Sequence, residues 1–322
     1  MSSAKRLLDP KLLPQSLWDA VSKVLHLPPE LSNLYKSLIE RHGLQKIAIT
    51  RDHKNPPVGG LDQEKTDQHF AQAFDGSVAR TQLALLDPNL DVPNVSNAFI
   101  NCLAGNTVSI TDAPCGAGAA AYSFLSSVAE LRNNNVLPRE PLDIVLIGAE
   151  LSKPARAYAE EILSEILPFL EEQAIFVTAE FLEWDATDSL STTDLIRRLT
   201  VSSVDVRKRL LIVANFSAFL EKEKKRKDAQ AQIEELFRHA YGDNSVAIWI
   251  EPDMNRATGE GGLFSWLRKL MEGPWSLFAR EDSGMVSEPI STSSARFQLP
   301  LIPSETARVG LSVMKLNLIR SK

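Results

Sequence analysis

Only two of the 322 residues are cysteine, Cys102 and Cys115. So few thiols build no disulfide framework and suit a reducing compartment. The histidines (His26, His42, His53, His69 and His239) are scattered without metal-ligand spacing, which argues against a structural zinc site. No run approaches the ~18 consecutive apolar residues that span a bilayer. The basic start, Met1 to Asp9, is not followed by the apolar core of a signal peptide. The chain is therefore expected to be cytoplasmic and away from membranes. Gly-x-Ser-x-Gly elbows and Gly-Lys-Ser/Thr phosphate loops are absent, setting aside α/β-hydrolase and P-loop chemistry. Positive charge is not in excess. With 35 basic and 41 acidic side chains, the net charge of −6 excludes attraction to nucleic acid through overall charge.

What is present is ordinary in amount and uneven in arrangement. Apolar residues make up 44% and charged residues 24%, the balance of a soluble globular protein. The length suffices for one large α/β domain and a smaller module. Residues 1–107 carry 11 basic and 11 acidic side chains, so the acidic excess lies C-terminal to them. The first hundred residues read as helical. Leu17, Val21, Val24 and Leu25 recur at helical spacing behind Ser16. Leu31, Leu34 and Leu38 repeat the pattern, with Gly43 placed to end that helix. Arg51 to Lys65 reads as loop, Thr66 to Leu86 as helix with Phe70, Phe74, Val78 and Leu85 on one side, and Val95 to Leu103 as a short helix.

From Val108 strands and helices alternate, which predicts a parallel sheet wound in βαβ units. The predicted strands are Val108–Asp112, Asp143–Glu150, Ala174–Ala179, Leu210–Asn215 and Ser245–Glu251. The predicted helices after them are Ala117–Leu131, Pro154–Leu170, Thr192–Leu199, a charged stretch to Tyr241, and Gly262–Met271. Then the alternation stops, and Trp275–Arg280 and Arg308–Leu318 both read as strands. The expectation is a helical N-terminal module at 1–103, a lid or substrate wall. An α/β domain at 104–322 follows, with a Rossmann-like, seven-stranded, mostly parallel sheet and an antiparallel C-terminal strand.

The most informative stretch is Val108-Ser-Ile-Thr-Asp112-Ala-Pro-Cys115-Gly116-Ala-Gly118-Ala-Ala-Ala121. A short buried strand ends on a carboxylate and turns through two glycines into a small-residue helix. This is how a Rossmann-like sheet presents a nucleoside at its carboxyl edge. Asp112-Ala113-Pro114-Cys115-Gly116-Ala-Gly118 resembles motif I of the class I S-adenosylmethionine-dependent methyltransferases. Three other readings use the same residues. Gly116-x-Gly118-x-x-Ala121 fits the dinucleotide fingerprint, although there the acid follows the glycines by about 20 residues. Asp-Ala-Pro-Cys also occurs around the nucleophilic cysteine of RNA cytosine-5 methyltransferases, which place their glycine turn upstream. The plainest alternative is a strand–turn–helix that holds no ligand.

The resemblance spans roughly Ala104 to the C-terminus and implies S-adenosylmethionine as cofactor. Carried over, it assigns Glu150 at the end of the second strand, with Leu151 beside it, to the ribose hydroxyls. Asp185 would receive the adenine amino group, and Trp184, Leu182 and Ala186 would pack near the ring. Asn215 and Phe216 would lie between cofactor and substrate; the prolines and tyrosine of the amino-methylating Asn/Asp-Pro-Pro-Tyr motif are missing. Glu150, Asp185 and Asn215 also suit helix caps and turns, and Glu251-Pro252-Asp253 suits a turn. Methyl transfer from a sulfonium needs alignment and exclusion of water, with a base only if the acceptor must lose a proton. No catalytic residue is therefore assigned, and Glu251, Asp253 and His69 are the candidates for such a base. Arg80 is read as a surface ion pair or as a partner of the cofactor carboxylate. Lys222, Lys224, Lys225, Arg226 and Lys227 read as a solvated helix face or, less directly, as an RNA contact. The acceptor stays open among RNA, protein and small molecules, beside a catalytically silent scaffold and a nicotinamide oxidoreductase.

Overall fold

The computed structural model describes residues 6–51, 57, 59–240, 244–253 and 290–317. Within them the chain runs β1 (Trp18–Asp19), β2 (Val24–Leu25), α1 (Pro29–Arg41), α2 (Gln45–Ile49), α3 (Gln63–Leu86) and α4 (Pro93–Cys102). The alternating part follows as β3 (Thr107–Asp112), α5 (Ala119–Asn133), β4 (Leu142–Ala149), α6 (Lys153–Glu172), β5 (Ile175–Leu182) and α7 (Ser189–Ser202). It continues with β6 (Lys208–Ala214), α8 (Ser217–Lys222), α9 (Arg226–His239), β7 (Ser245–Pro252), β8 (Ser291–Gln298) and β9 (Thr306–Asn317).

All the described strands join one sheet in the order β1-β2-β8-β9-β7-β6-β3-β4-β5. The five central strands, β5, β4, β3, β6 and β7, are parallel, and β9 runs antiparallel to both β7 and β8. β3 to β7 and β9 fall on expected strands and β8 does not; the two-residue β1 and β2 add a fringe beside β8. β3 pairs with β4 on one side and with β6 on the other. The strand order therefore reverses there, which is where open α/β sheets open a crevice at their carboxyl ends.

Alternation along each strand sorts the core into two layers. Leu210, Ile212 and Ala214 of β6 face a cluster with α1, α3, α4, α5 and α6. Leu211 and Val213 face α7, α8 and α9. Helix starts follow local chemistry. The Asp62 carboxylate accepts the Lys65 N–H at 2.8 Å, so α3 begins three residues before Thr66. Ser152 caps α6 and Asp188 caps α7.

Three segments depart from the sequence reading. Leu17 to Leu25 is no helix: the Asp19 carboxylate accepts the N–H groups of Val21 and Ser22, Lys23 has φ +56°, and the chain turns between β1 and β2. Leu17 and Leu25 are buried while Val21 is 96% exposed, so the apolar spacing served a turn. Ser16 donates to Glu130 instead of capping a helix. The charged stretch after β6 breaks into α8 and α9 around Lys224, whose φ is +55°. The strand β8 lies in Ser291-Thr-Ser-Ser-Ala-Arg-Phe-Gln298, which carries little apolar signal. The predicted helix 262–271 and strand 275–280 lie outside the described residues. Among the described residues no helix is long and apolar enough to cross a membrane, and no cluster fit to hold a metal ion occurs.

Candidate functional site

Asp112 closes β3 at the switch point, and the chain turns at once. Ala113 N–H donates to Ile212 O at 3.0 Å and Cys115 N–H to Ala149 O at 2.9 Å. The turn is thus pinned to both neighbouring strands, and the Ala113–Pro114 peptide bond within it is cis. Gly118, φ +79°, starts α5, and a Cβ there would stand 2.1 Å from the Tyr122 ring. Only glycine allows that approach. Gly116 has φ +53° and a Cβ there would meet nothing within 4 Å, so its backbone faces open space. Its N–H donates to Glu150 Oε2 at 3.1 Å, while Glu150 Oε1 accepts the Ser152 N–H at 2.8 Å.

These residues border a cavity of about 440 Å³ above the carboxyl ends of the parallel strands. Asp112, Pro114, Cys115 and Gly116 line it from the turn, and Glu150 and Leu151 from the end of β4. Trp184, Asp185 and Ala186 line it after β5, and Asn215 and Phe216 after β6. Of the residues assigned to the cofactor, Ala113, Gly118 and Leu182 are not part of that lining; Leu182 packs instead against the core layer beneath α7 to α9. A second cavity of about 310 Å³, between α7 and α9, shares no residue with this one.

The carboxylates differ in what holds them. Asp112 is 1% exposed; its Oδ2 accepts the Ala121 N–H at 3.1 Å, and its Oδ1 is buried without a partner among the described residues. Burial pushes its pKa up to about 7. Burial likewise raises Glu150, against the pull of the Ser152 and Gly116 N–H bonds. For Asp185 burial pushes upward, but the hydroxyl and N–H of Thr187, both bonded to Oδ1 at 2.7 and 2.8 Å, hold it below the usual carboxylate value. Trp184 is 2% exposed and donates Nε1–H to Thr192. Its ring lies 6.3 Å from that of Phe216, giving the cavity an apolar floor.

The cysteine is not poised for nucleophilic attack. Burial and the nearby Asp112 and Glu150 push the Cys115 thiol well above its usual pKa, which withholds the thiolate. Glu251 is no base. Fully buried, it accepts from the N–H of Phe216 and Ser217, the Ser217 hydroxyl and Trp249 Nε1. Asp253 holds Arg308 at 3.6 Å at the rim. His69 does line the cavity, with burial pushing it down to about 4, so it stays neutral and weakly basic.

On the far side of the cavity stand N-terminal residues, of which the sequence singled out His69 and Arg80 but not Ala73 or Gly76. α3 runs across the cavity mouth and presents His69, Ala73, Gly76 and Arg80 to it, with Phe297 and Arg308 of the β8–β9 pair alongside. The spacing of those four α3 residues is helical; Phe70 and Phe74 also reach the cavity, and with Val78 they belong to the core. The helical spacing of His69, Ala73, Gly76 and Arg80 was the available signal. Among the described residues Arg80 forms no ion pair. Nη1 donates to Asn215 Oδ1 and Nε to Gly310 O at 3.2 Å.

No family model and no curated protein matches the chain. Among solved structures it is similar to a TehB-like SAM-dependent methyltransferase from Corynebacterium glutamicum, at 16% identity over 68% of this chain and 85% of that one, with a TM-score of 0.31. It is also similar to a precorrin-6y C5,15-methyltransferase from Geobacter metallireducens, at 10% identity over 70% of this chain and 89% of that one, with a TM-score of 0.35.

Proposed function

We propose that the chain is an S-adenosylmethionine-dependent methyltransferase. The observation that carries this reading is the buried, unpartnered Oδ1 of Asp112 beside the open Gly116 turn, at the point where the strand order reverses. A desolvated carboxylate oxygen without a donor is costly unless a ligand supplies one. The cofactor's ammonium group is such a donor. Glu150 spends one lone pair of each oxygen on backbone N–H groups, leaving acceptors for a vicinal diol. The second oxygen of Asp185 can receive an exocyclic amine, and Leu151, Trp184, Ala186 and Phe216 enclose the apolar base. The residues present therefore fit the group.

Bound there, S-adenosylmethionine would supply an activated methyl on a sulfonium. The protein's part is to hold the donor, bring the acceptor in line and keep water away. α3, from the N-terminal module at 1–103, is suited to be the wall that does the last of these over the domain at 104–322. The RNA reading of Lys222–Lys227 has less support. Arg226 pairs with Glu221 at 2.5 Å and Lys225 lies 5.8 Å over the Phe219 ring, which leaves a mixed-charge surface. A cytoplasmic location agrees with the two buried, unpaired cysteines.

Equilibrium dialysis with S-adenosylmethionine tests the reading. Gly116→Val should abolish binding in a folded protein, because the branched side chain strains a positive-φ site and fills the space beside Glu150. Cys115→Ser should bind nearly as wild type. Wild-type protein that binds no S-adenosylmethionine would end the proposal, and lost methyl transfer in Cys115→Ser with binding preserved would restore the nucleophilic cysteine.

A further inference from the structure

The cavity's charges are segregated. Its acids, Asp112, Glu150 and Asp185, stand at the ends of β3, β4 and β5, while Arg80 stands across from them on α3. Both donors of Arg80 given above go to neutral oxygens, of Asn215 and Gly310. Among the described residues no carboxylate lies within ion-pair distance of it. Glu251, the acid that acts on it from further off, is already engaged by four donors. A guanidinium in a partly closed cavity without a counter-charge is poorly compensated, and burial pushes it down to about 10.

One turn earlier on the same face is Gly76. Glycine inside a helix weakens it relative to alanine, and a Cβ there would meet nothing within 4 Å. Packing therefore gives no reason for the missing side chain. The space that a methyl group would enter belongs to the cavity.

We propose that α3 carries an anion-recognition subsite, in which the Arg80 guanidinium binds a carboxylate or phosphate group of the ligand and Gly76 leaves room for the ligand's body. Arginine suits the task because its planar fork meets such groups with two parallel hydrogen bonds. The subsite deepens the methyltransferase reading, which supplies two sources for the anion: the amino-acid end of the cofactor, or the methyl acceptor.

Calorimetric titration separates these sources. S-adenosylhomocysteine carries the carboxylate and 5′-methylthioadenosine lacks it. If the cofactor supplies the anion, Arg80→Met should weaken the first at least tenfold and leave the second unchanged. If the acceptor supplies it, both nucleosides bind Arg80→Met as wild type, and the variant loses binding of phenyl phosphate and benzoate to protein loaded with S-adenosylhomocysteine. Arg80→Lys, which keeps the charge but not the fork, should fall between and guards against a folding defect in Arg80→Met. Gly76→Ala should raise Tm by roughly 2 °C and weaken the anionic ligand at least tenfold. Unchanged binding of every probe in Arg80→Met would overturn the subsite, and so would unchanged binding in Gly76→Ala. If neither nucleoside binds wild-type protein, the methyltransferase reading fails by itself. The subsite is then decided by phenyl phosphate on the free protein, where binding that Arg80→Met abolishes supports it and no binding overturns it.

Discussion

Asp112 carries a charge that its position disfavours. Burial lifts its pKa to about 7, far above the ordinary value near 3.9. Between roughly pH 4 and 7 the folded state then binds more protons at this group than the unfolded chain does. Stability therefore falls as pH rises through that window and levels off above it. The whole effect is at most roughly 4 kcal/mol. Asp112→Asn should remove this component, so urea denaturation at pH 5, 6, 7 and 8 should find the variant more stable than wild type at pH 8 and losing that advantage at pH 5. An amine ligand favours the ionised form, so binding should strengthen as pH rises to about 7 and then flatten. Equal pH slopes for wild type and variant would contradict the assignment. At this scale the turn was legible because Asp112 to Gly118 are contiguous. The bond from Arg80 to Asn215 was not legible, since the two lie 135 positions apart, and no local pattern encodes such a pair.

At the scale of elements, Glu251 acts as a joint. It sits near the end of β7 and gathers the first N–H groups of α8 and the indole of Trp249 on the same strand. Glu251→Ala would leave four donors unpaired, two of them fully buried, and should cost roughly 3 kcal/mol, whereas Glu251→Gln keeps an acceptor and should lose less. Guanidinium denaturation of both variants checks this. Undiminished stability in Glu251→Ala would return Glu251 to the candidates for a base. The elements easiest to read were the apolar parallel strands, because burial on both faces writes continuous hydrophobic runs. β8 was invisible for the opposite reason. Ser293 and Phe297 are buried while its neighbours face outward, and hydroxyl-bearing residues look like loop. Leu17 to Leu25 misled because two anchoring leucines eight apart satisfy a turn as well as a helix.

For the molecule as a whole, the sequence suggests a seam near residue 104, yet the packing crosses it. Phe70, Phe74, Val78 and Phe99 share one cluster with Phe124, Ile212 and Leu311, and α3 packs on α5, β8 and β9. Removing the first 103 residues would strip apolar cover from one whole face of the sheet, a loss that no surface salt bridge offsets. Residues 104–322 expressed alone should show no cooperative thermal transition, and the full chain should unfold in a single one by calorimetry. A soluble, cooperatively folding fragment would contradict that expectation. The fold class was readable from alternation alone. Which N-terminal helix lines the cavity, and with which residues, was not, because that comes from long-range packing of α3 across the sheet's carboxyl edge.

The central claim is that the crevice at the end of β3 holds S-adenosylmethionine. Calorimetric titration of the purified chain with S-adenosylhomocysteine, with NAD in parallel, tests it most directly. Micromolar binding of S-adenosylhomocysteine alone is expected, lost in Asp112→Ala. Binding of NAD alone, or silence with both nucleosides, would contradict it.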